Sequence, residues 1–563
     1  MKSKRALLLG LFVAIAAAAV YLPALGNGFV EWDDHVYVYE SEGLKLSGIE
    51  FVKWAFTAVV SSNWHPLTML VYGAEYRLFG LDPFGYHLIN LILHAANTFL
   101  VFALALKIIG LATGGEGKDR ALAGAAMGAL AFGLHPQHVE SVAWVSELKD
   151  VLCGLFFLLS ILAYWRYTEG GRKALFYMLS IISFILALMS KPMAVSLPAA
   201  LLIFDYYPLG RLGSFDSVKK AVIEKLPFFT LAALGAVATV WAQSGDEAIA
   251  SLAHSPLSER VDVAVRGFAF YLKKLFVPVD LVPFYVRPLE GEFFNHVFWV
   301  SLAAFIAISA ACIVLRKKAL TATWLYYAVT LLPVIGIVQV SDMAAADRYS
   351  YLPALGPVVF LSGIAAFIAA DRRRMITMIA SFAPIAAMLG FLTVKQIPVW
   401  KDTVSLWTQE IKVYPTIQAY MKRAKAYELS GRFEEAAADY TVIIRNADKD
   451  IPVLLVRRAA AYLNAGYPDM ALGDYALALK LETRNAAAYL GRATVFMEKG
   501  DYISAANELE RVLELAPGNP AVMFNMGVAY DKAGQKEKGM GLIREANRLG
   551  HPEAAGYLAA SGE

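Results

Sequence analysis

Long apolar runs separated by short polar breaks are the first pattern along the chain. The first run, residues 6–25, follows Lys2, Lys4 and Arg5 directly. Further runs lie near 86–109, 121–137, 142–165, 174–190, 193–210, 222–243, 296–315, 320–340, 350–370 and 375–395. Each approaches the ~20 residues a helix needs to cross a bilayer, so the pattern predicts an all-α, polytopic helix bundle of about eleven spans. The first run begins like a signal peptide, but its length reads as a retained span. The segment 258–285 breaks the pattern. It sets Arg260, Arg266, Lys273 and Lys274 among apolar residues, which predicts an amphipathic helix lying on the membrane surface.

Composition agrees with a membrane class. Hydrophobic types make up 58% of the 563 residues and charged types 18%, against about 25% charged in soluble domains. Mean hydropathy is +0.50. A net charge of +3 is too small to imply a nucleic-acid partner. The two cysteines, Cys153 and Cys312, both sit in apolar runs, which leaves no disulfide framework or zinc site. Position matters more for the basic residues. If the runs alternate direction, Lys4/Arg5, Lys118/Arg120, Arg166/Arg172/Lys173, Arg211/Lys219/Lys220, Arg316/Lys317/Lys318 and Arg372/Arg373/Arg374 all fall on one side. By the positive-inside rule that side is the cytoplasm, with the N-terminus inside and the C-terminus outside.

The pattern changes after Trp400. Gly431, Gly466, Gly500 and Gly534 recur at roughly the 34-residue period of tetratricopeptide (TPR) repeats. Ala424, Ala459, Ala493 and Gly527 sit seven residues before each glycine, and Tyr427, Tyr462, Phe496 and Tyr530 four before it. The small residues let paired helices approach, and the aromatics fill the groove between pairs. The reading is a membrane domain over 1–400, a linker over 401–414, and an α-solenoid of about four repeats over 415–563.

The span ends opposite the basic loops collect the polar chemistry. Glu31-Trp32-Asp33-Asp34-His35 follows the first run. Adjacent carboxylates there suit a general base, hard oxygen ligands for a divalent cation, or a helix cap. The same side carries Asn63-Trp64-His65-Pro66, Tyr86-His87, His135-Pro136-Gln137-His138-Val139-Glu140, Lys191-Pro192 and Ala346-Asp347-Arg348-Tyr349. Ionisable residues at such depths are functional candidates by default. His135, His138 and Glu140 match no common metal-ligand spacing, so a hydrogen-bond network stands beside a ligand role. Lys149-Asp150, two turns into the fourth predicted span, reads either as an ion pair tying helices together or as a phosphate-binding group. His94 and Asn97, one turn apart, read as interhelical hydrogen bonders.

In this order the motifs resemble a known family. Trp32-Asp33-Asp34 after the first span is similar to the first luminal loop of GT-C glycosyltransferases, in particular the transmembrane and TPR-repeat O-mannosyltransferases and their bacterial relatives. The stretch His135–Ala143 followed by Glu147-Leu148-Lys149-Asp150 resembles that family's as well. So do Lys191-Pro192, Asp347-Arg348-Tyr349-Ser350-Tyr351-Leu352-Pro353 and the C-terminal repeats. The resemblance covers nearly the whole chain and departs in the small number of repeats.

It implies a GT-C-type bundle over 1–400. It also implies transfer of a sugar, mannose or another hexose, from a polyprenyl-phosphate donor to an acceptor hydroxyl, such as protein Ser or Thr. Asp34 or Asp33 carries over as the base. His65, His87, His135, His138, Glu140, Lys149, Lys191, Asp347, Arg348 and Tyr349 are the expected substrate-binding residues. A phosphate leaving group calls for cations, which Arg348, Lys191 or Lys149 supply, and direct displacement inverts the anomeric centre. No resident cofactor or metal is assigned, and a divalent cation stays compatible. The expected partners are the membrane-borne donor and a protein acceptor held in the repeat groove. The expected setting is a bacterial inner membrane, with site and repeats in the periplasm. Two other readings stand beside this one: transfer to a lipid or envelope polysaccharide, and a non-enzymatic scaffold. A transporter is disfavoured, because the ionisable residues cluster at one face and no inverted repeat is visible.

Overall fold

The structure, a computed structural model, describes residues 4–113, 117–244, 255–288, 291–338, 343–447 and 449–562. Lys2, positions 339–340 of the expected ninth span and Glu563 lie outside the described residues. The chain divides into two compact units, Met1–Leu406 and Trp407–Glu563.

In the first unit, six helices among the described residues are long and apolar enough to cross a membrane: Lys4–Gly26, Pro83–Ala112, Lys173–Ser190, Phe215–Ser244, His296–Leu315 and Arg372–Trp400. The other expected spans fold as Lys118–Gly133, Leu148–Glu169, Pro192–Tyr206, Lys318–Leu331 and Leu355–Ile368, which are shorter or carry more charge. Small residues set the packing at the centre. Gly124 and Gly128, spaced as a small-x-x-x-small pair, face Ala366 and Ser362 of the helix Leu355–Ile368 so closely that neither has room for a side chain. The only sheet among the described residues pairs Tyr285–Val286 antiparallel with Met343–Ala345.

Two sequence expectations shift here. The fourth span begins at Leu148, not near 142. Residues before it fold as three short turns, Pro136–His138, Val139–Ala143 and Val145–Glu147, broken by the extended backbone of Trp144. Lys149 and Asp150 therefore lie in the first helical turn, not two turns in. The predicted amphipathic helix runs over Leu257–Phe276. Its Arg260, Asp262 and Lys274 are buried, while Leu257, Val261 and Phe276 are exposed.

The second unit consists of helix pairs. They are Ile417–Leu429 with Phe433–Asn446, Ile451–Asn464 with Pro468–Leu481, Ala486–Glu498 with Tyr502–Leu515, and Pro520–Lys532 with Lys536–Arg548. The recurring Gly431, Gly466, Gly500 and Gly534 make the turn inside each pair with φ of +71°, +85°, +75° and +83°, a region that penalises a Cβ. The aligned Ala424, Ala459 and Ala493 of the first three pairs and Gly527 of the fourth are buried. A feature the motif alone did not show is a ladder of ion pairs. Arg423 grips Asp439 through two hydrogen bonds of 2.8 and 2.7 Å, Arg458 grips Asp474 through two of 2.7 Å, and Arg492 pairs with Glu508. The stretch 401–414, expected as a linker, is instead helical over Thr403–Val413, and the division between units falls inside it.

Candidate active site

Four segments meet at one end of the first unit: the loop after the first helix, the turns 136–147, Lys191 and the short helix Asp347–Ser350. Hydrogen bonds to backbone fix the turns. The Tyr72 hydroxyl donates to the Val145 carbonyl at 2.9 Å and Asn90 Nδ2 to the Trp144 carbonyl at 3.1 Å. The Trp144 ring stacks on Trp400 with centroids 5.0 Å apart.

Glu147 is the hub of this end. Its carboxylate lies 3.2 Å from Lys149 Nζ, 3.1 Å from Lys191 Nζ and 3.4 Å from Arg348 Nε. Burial by itself would raise the Glu147 carboxyl, yet the three cations together hold it well below the usual carboxylate range. Each cation has a second anion. Arg348 pairs with Glu140, whose other oxygen accepts the Arg348 backbone N–H at 2.8 Å. Lys191 pairs with Asp150, and Lys149 Nζ stands 3.9 Å from Asp33 Oδ2. Burial keeps the Glu140 carboxyl raised despite Arg348. Aromatic rings flank the cations: Lys149 lies 4.8 Å from the Tyr37 centroid, Arg348 5.0 Å and Lys191 5.7 Å from that of Tyr349. Such contacts favour a cation that is partly stripped of water.

The adjacent aspartates differ sharply. Asp34 is fully buried and both oxygens are engaged: Val30 N donates to Oδ2 at 2.8 Å, and Ser146 donates to Oδ1 from its backbone N at 3.0 Å and from its hydroxyl. Burial pushes its carboxyl up to about 7, against these hydrogen bonds. Asp34 thus ties the first loop to the 136–147 turns. The Asp33 side chain keeps 24% of its surface exposed beside Lys149.

Three of the expected histidines hold backbone and stand apart from the charged hub. His87 Nε2 lies 3.4 Å from the Gly28 carbonyl, His135 Nε2 3.0 Å from that of Leu275, and His138 Nδ1 2.9 Å from that of Phe132. Burial lowers the His135 imidazole to about 4, so it is neutral. His65 is buried with neither ring nitrogen hydrogen-bonded. Burial first, then the charges of Lys149 and Lys191, hold it well below its ordinary value. Asp347 points away from its neighbour Arg348 and accepts from the Tyr285 hydroxyl at 3.1 Å. Burial, then Glu140, raises it well above the carboxylate range. His94 and Asn97 do bridge helices: His94 Nε2 lies 3.0 Å from the Gly133 carbonyl and Asn97 Nδ2 donates to the Val151 carbonyl at 2.8 Å, and both also meet the Tyr351 hydroxyl, at 2.9 and 3.0 Å. Among the described residues no three His, Cys, Asp or Glu side chains gather as a metal-ligand set.

The Lys149–Asp150 ion pair suggested by sequence does not form. Consecutive helical residues point apart, and each joins a partner from elsewhere. Glu147 and Ser146 join the site without having stood among the expected site residues, and Asp150 enters it as the partner of Lys191. The available signal was three charges within four positions, Glu147, Lys149 and Asp150, at the mouth of an apolar run.

Residues 496–560 and 456–520 each match the tetratricopeptide-repeat family. Protein O-mannosyl-transferase TMTC4 of Homo sapiens is 32% identical over 170 residues, which is 28% of this chain and 23% of that protein. Protein O-mannosyl-transferase TMTC1 of Homo sapiens aligns over 466 residues at 23% identity, covering 72% of this chain and 49% of that protein. Over these stretches the chain is similar to the TMTC protein O-mannosyl-transferases. Xenopus laevis tmtc2, of the same name, is 34% identical over 156 residues, 26% of this chain and 17% of that protein. The chain spans less than half the length of these TMTC relatives. Among solved structures, the crystal structure of MamA protein covers 27% of this chain and 84% of its own at 18% identity, with a TM-score of 0.25.

Proposed function

We propose that the chain is a membrane glycosyltransferase. It takes a sugar, mannose by the precedent of its TMTC relatives' names, from a polyprenyl-phosphate donor and delivers it to a protein hydroxyl. One observation carries this reading. Three cations, Lys149, Lys191 and Arg348, converge beside the partly exposed carboxylate of Asp33 at one end of a bundle of apolar helices. A donor whose tail lies in the bilayer presents its phosphate at such an end. The acceptor oxygen attacks the anomeric carbon as the carbon–oxygen bond to phosphate breaks. Asp33 takes the hydroxyl proton, and the phosphate leaves with the bonding electrons, its charge met by Arg348, Lys191 and Lys149. This single displacement inverts the anomeric configuration. Asp34, held by Val30 and Ser146, positions its neighbour and is not the base.

The basic loops lie at the other ends of the same helices, which supports a site facing away from the cytoplasm, in the periplasm of a bacterial inner membrane. The TPR unit then holds the polypeptide acceptor. The test uses full-length protein in nanodiscs with radiolabelled polyprenyl-phosphate mannose and a membrane-protein extract. Wild type labels protein with inverted configuration, and Asp33→Asn does not. Label in the lipid fraction would move the acceptor to lipid or polysaccharide. A retained configuration, or equal labelling by Asp33→Asn, would overturn the mechanism. Donor binding with no transfer to any acceptor would favour the scaffold.

A further inference from the structure

The first unit also holds a concavity whose lining includes none of the residues of the charged hub. It is an apolar crevice of about 680 Å³ between the helices Pro83–Ala112, Pro192–Tyr206, Lys318–Leu331 and Leu355–Ile368. Its lining follows Leu355, Val359, Gly363 and Phe367 down successive turns of one helix. At 1.5 Å per residue that is a run of ~18 Å, close to one leaflet of a ~30 Å hydrocarbon core.

The two ends of the crevice differ. Toward the candidate active site it is closed. Tyr351, Leu352, Ala354 and Leu355 are all buried there, and the Tyr326 hydroxyl donates to the Leu352 carbonyl at 3.4 Å. Toward the opposite surface it is open. Phe367 is 76% exposed and Leu315 55%. At this open end stands Lys317, the one charged side chain in the lining among the described residues, flanked in sequence by Arg316 and Lys318.

We propose that this crevice binds an anionic phospholipid from the leaflet opposite the candidate active site, with an acyl chain along Leu355–Ile368 and the phosphate against Lys317. The apolar walls require a hydrocarbon chain, and the rim requires a negative headgroup. Basic pockets between membrane helices select anionic lipids for this reason. A zwitterionic headgroup sets its own cation against the same basic rim and gains less. A donor lipid whose phosphate sits at Arg348 is separated from the crevice by the buried 351–355 wall, so this is a site distinct from the donor's.

Full-length protein in detergent, incubated with equal amounts of phosphatidylglycerol and phosphatidylcholine of matched chains, is read by native mass spectrometry. Wild type retains phosphatidylglycerol in preference. Lys317→Ala, at an exposed position that folding tolerates, cuts that retention about fivefold, the worth of one surface lysine, and leaves phosphatidylcholine unchanged. At Gly363 an added Cβ would stand 4.0 Å from Ile109, so Gly363→Leu fills the crevice without forcing the backbone and removes both lipids. Equal retention of the two lipids by wild type, or no effect of Lys317→Ala, overturns the proposal. So does added polyprenyl phosphate that is displaced by Gly363→Leu and indifferent to Lys317→Ala, which would make the crevice the donor-tail groove.

Discussion

Asparagine at 33 and asparagine at 34 have opposite consequences, although the residues are neighbours of the same type. The two Asp34 oxygens accept from Val30 N at 2.8 Å, Ser146 N at 3.0 Å and the Ser146 hydroxyl. Asparagine keeps one acceptor oxygen and turns its amide donor toward one of those donors. A buried donor left without a partner costs about 1–3 kcal/mol, and the amide brings a second, so the expected loss is near 3 kcal/mol. The ties between the first loop and the 136–147 turns weaken together, and transfer falls because the site loosens. Asp33 is partly exposed, and Lys149, 3.9 Å away, keeps Glu147 at 3.2 Å when Asp33 is neutralised, so the cost to stability is small. Asp33→Asn therefore unfolds at nearly the wild-type temperature, yet loses the base and about 10²–10⁴-fold in rate. Thermal unfolding in detergent and transfer from radiolabelled polyprenyl-phosphate mannose, measured on both variants, test the pair. If Asp34→Asn melts like wild type without activity while Asp33→Asn remains active, the hydrogen-bond argument is refuted and Asp34 is the base.

Further predictions concern the rest of the molecule. Glu147→Gln leaves three buried cations short of their shared carboxylate and costs about 3–5 kcal/mol; an unchanged melting midpoint would show that Glu140, Asp150 and Asp33 suffice. Glu75 is 2% exposed, neither of its oxygens is hydrogen-bonded, and burial pushes its carboxyl up to about 9. Its raised folded value makes the stability it permits complete below the unfolded value near ~4.3 and progressively lost as pH climbs toward about 9. The advantage of Glu75→Gln over wild type in melting midpoint therefore grows from pH 5 to pH 8, and parallel curves would contradict this. Gly466→Ala, at φ +85°, costs about 1–2 kcal/mol, seen as an earlier unfolding transition of the C-terminal unit in urea.

Much of the architecture was readable because it rests on local periodicity. Apolar runs fix helices that need a bilayer, and the recurrence of Gly431, Gly466, Gly500 and Gly534 fixes turns that need a positive φ. The fourth span shows the limit. Its apolar run extends back to Val142, but Pro136 and the extended Trp144 divide the approach into short turns and move the helix start to Leu148. The polar residues near the site were visible as a set because charge is rare in this chain, while their roles were not. The spacing of His135 and His138 left a ligand role and a hydrogen-bond network equally open, and in the structure both clasp backbone carbonyls.

The sequence by itself determined a bundle of apolar helices followed by a tetratricopeptide solenoid, and the end of the bundle where ionisable groups collect. Hydrophobic period and backbone conformation are properties of neighbouring residues, so they can be read along the chain. Only the tertiary structure decided that Glu147 gathers Lys149, Lys191 and Arg348, that Asp150 turns to Lys191 and not to Lys149, and that Asp34 is caged while Asp33 stays open. Those outcomes depend on charges brought together from far along the chain. A buried charge takes whichever partner the packing brings within about 4 Å, whatever stands beside it in sequence.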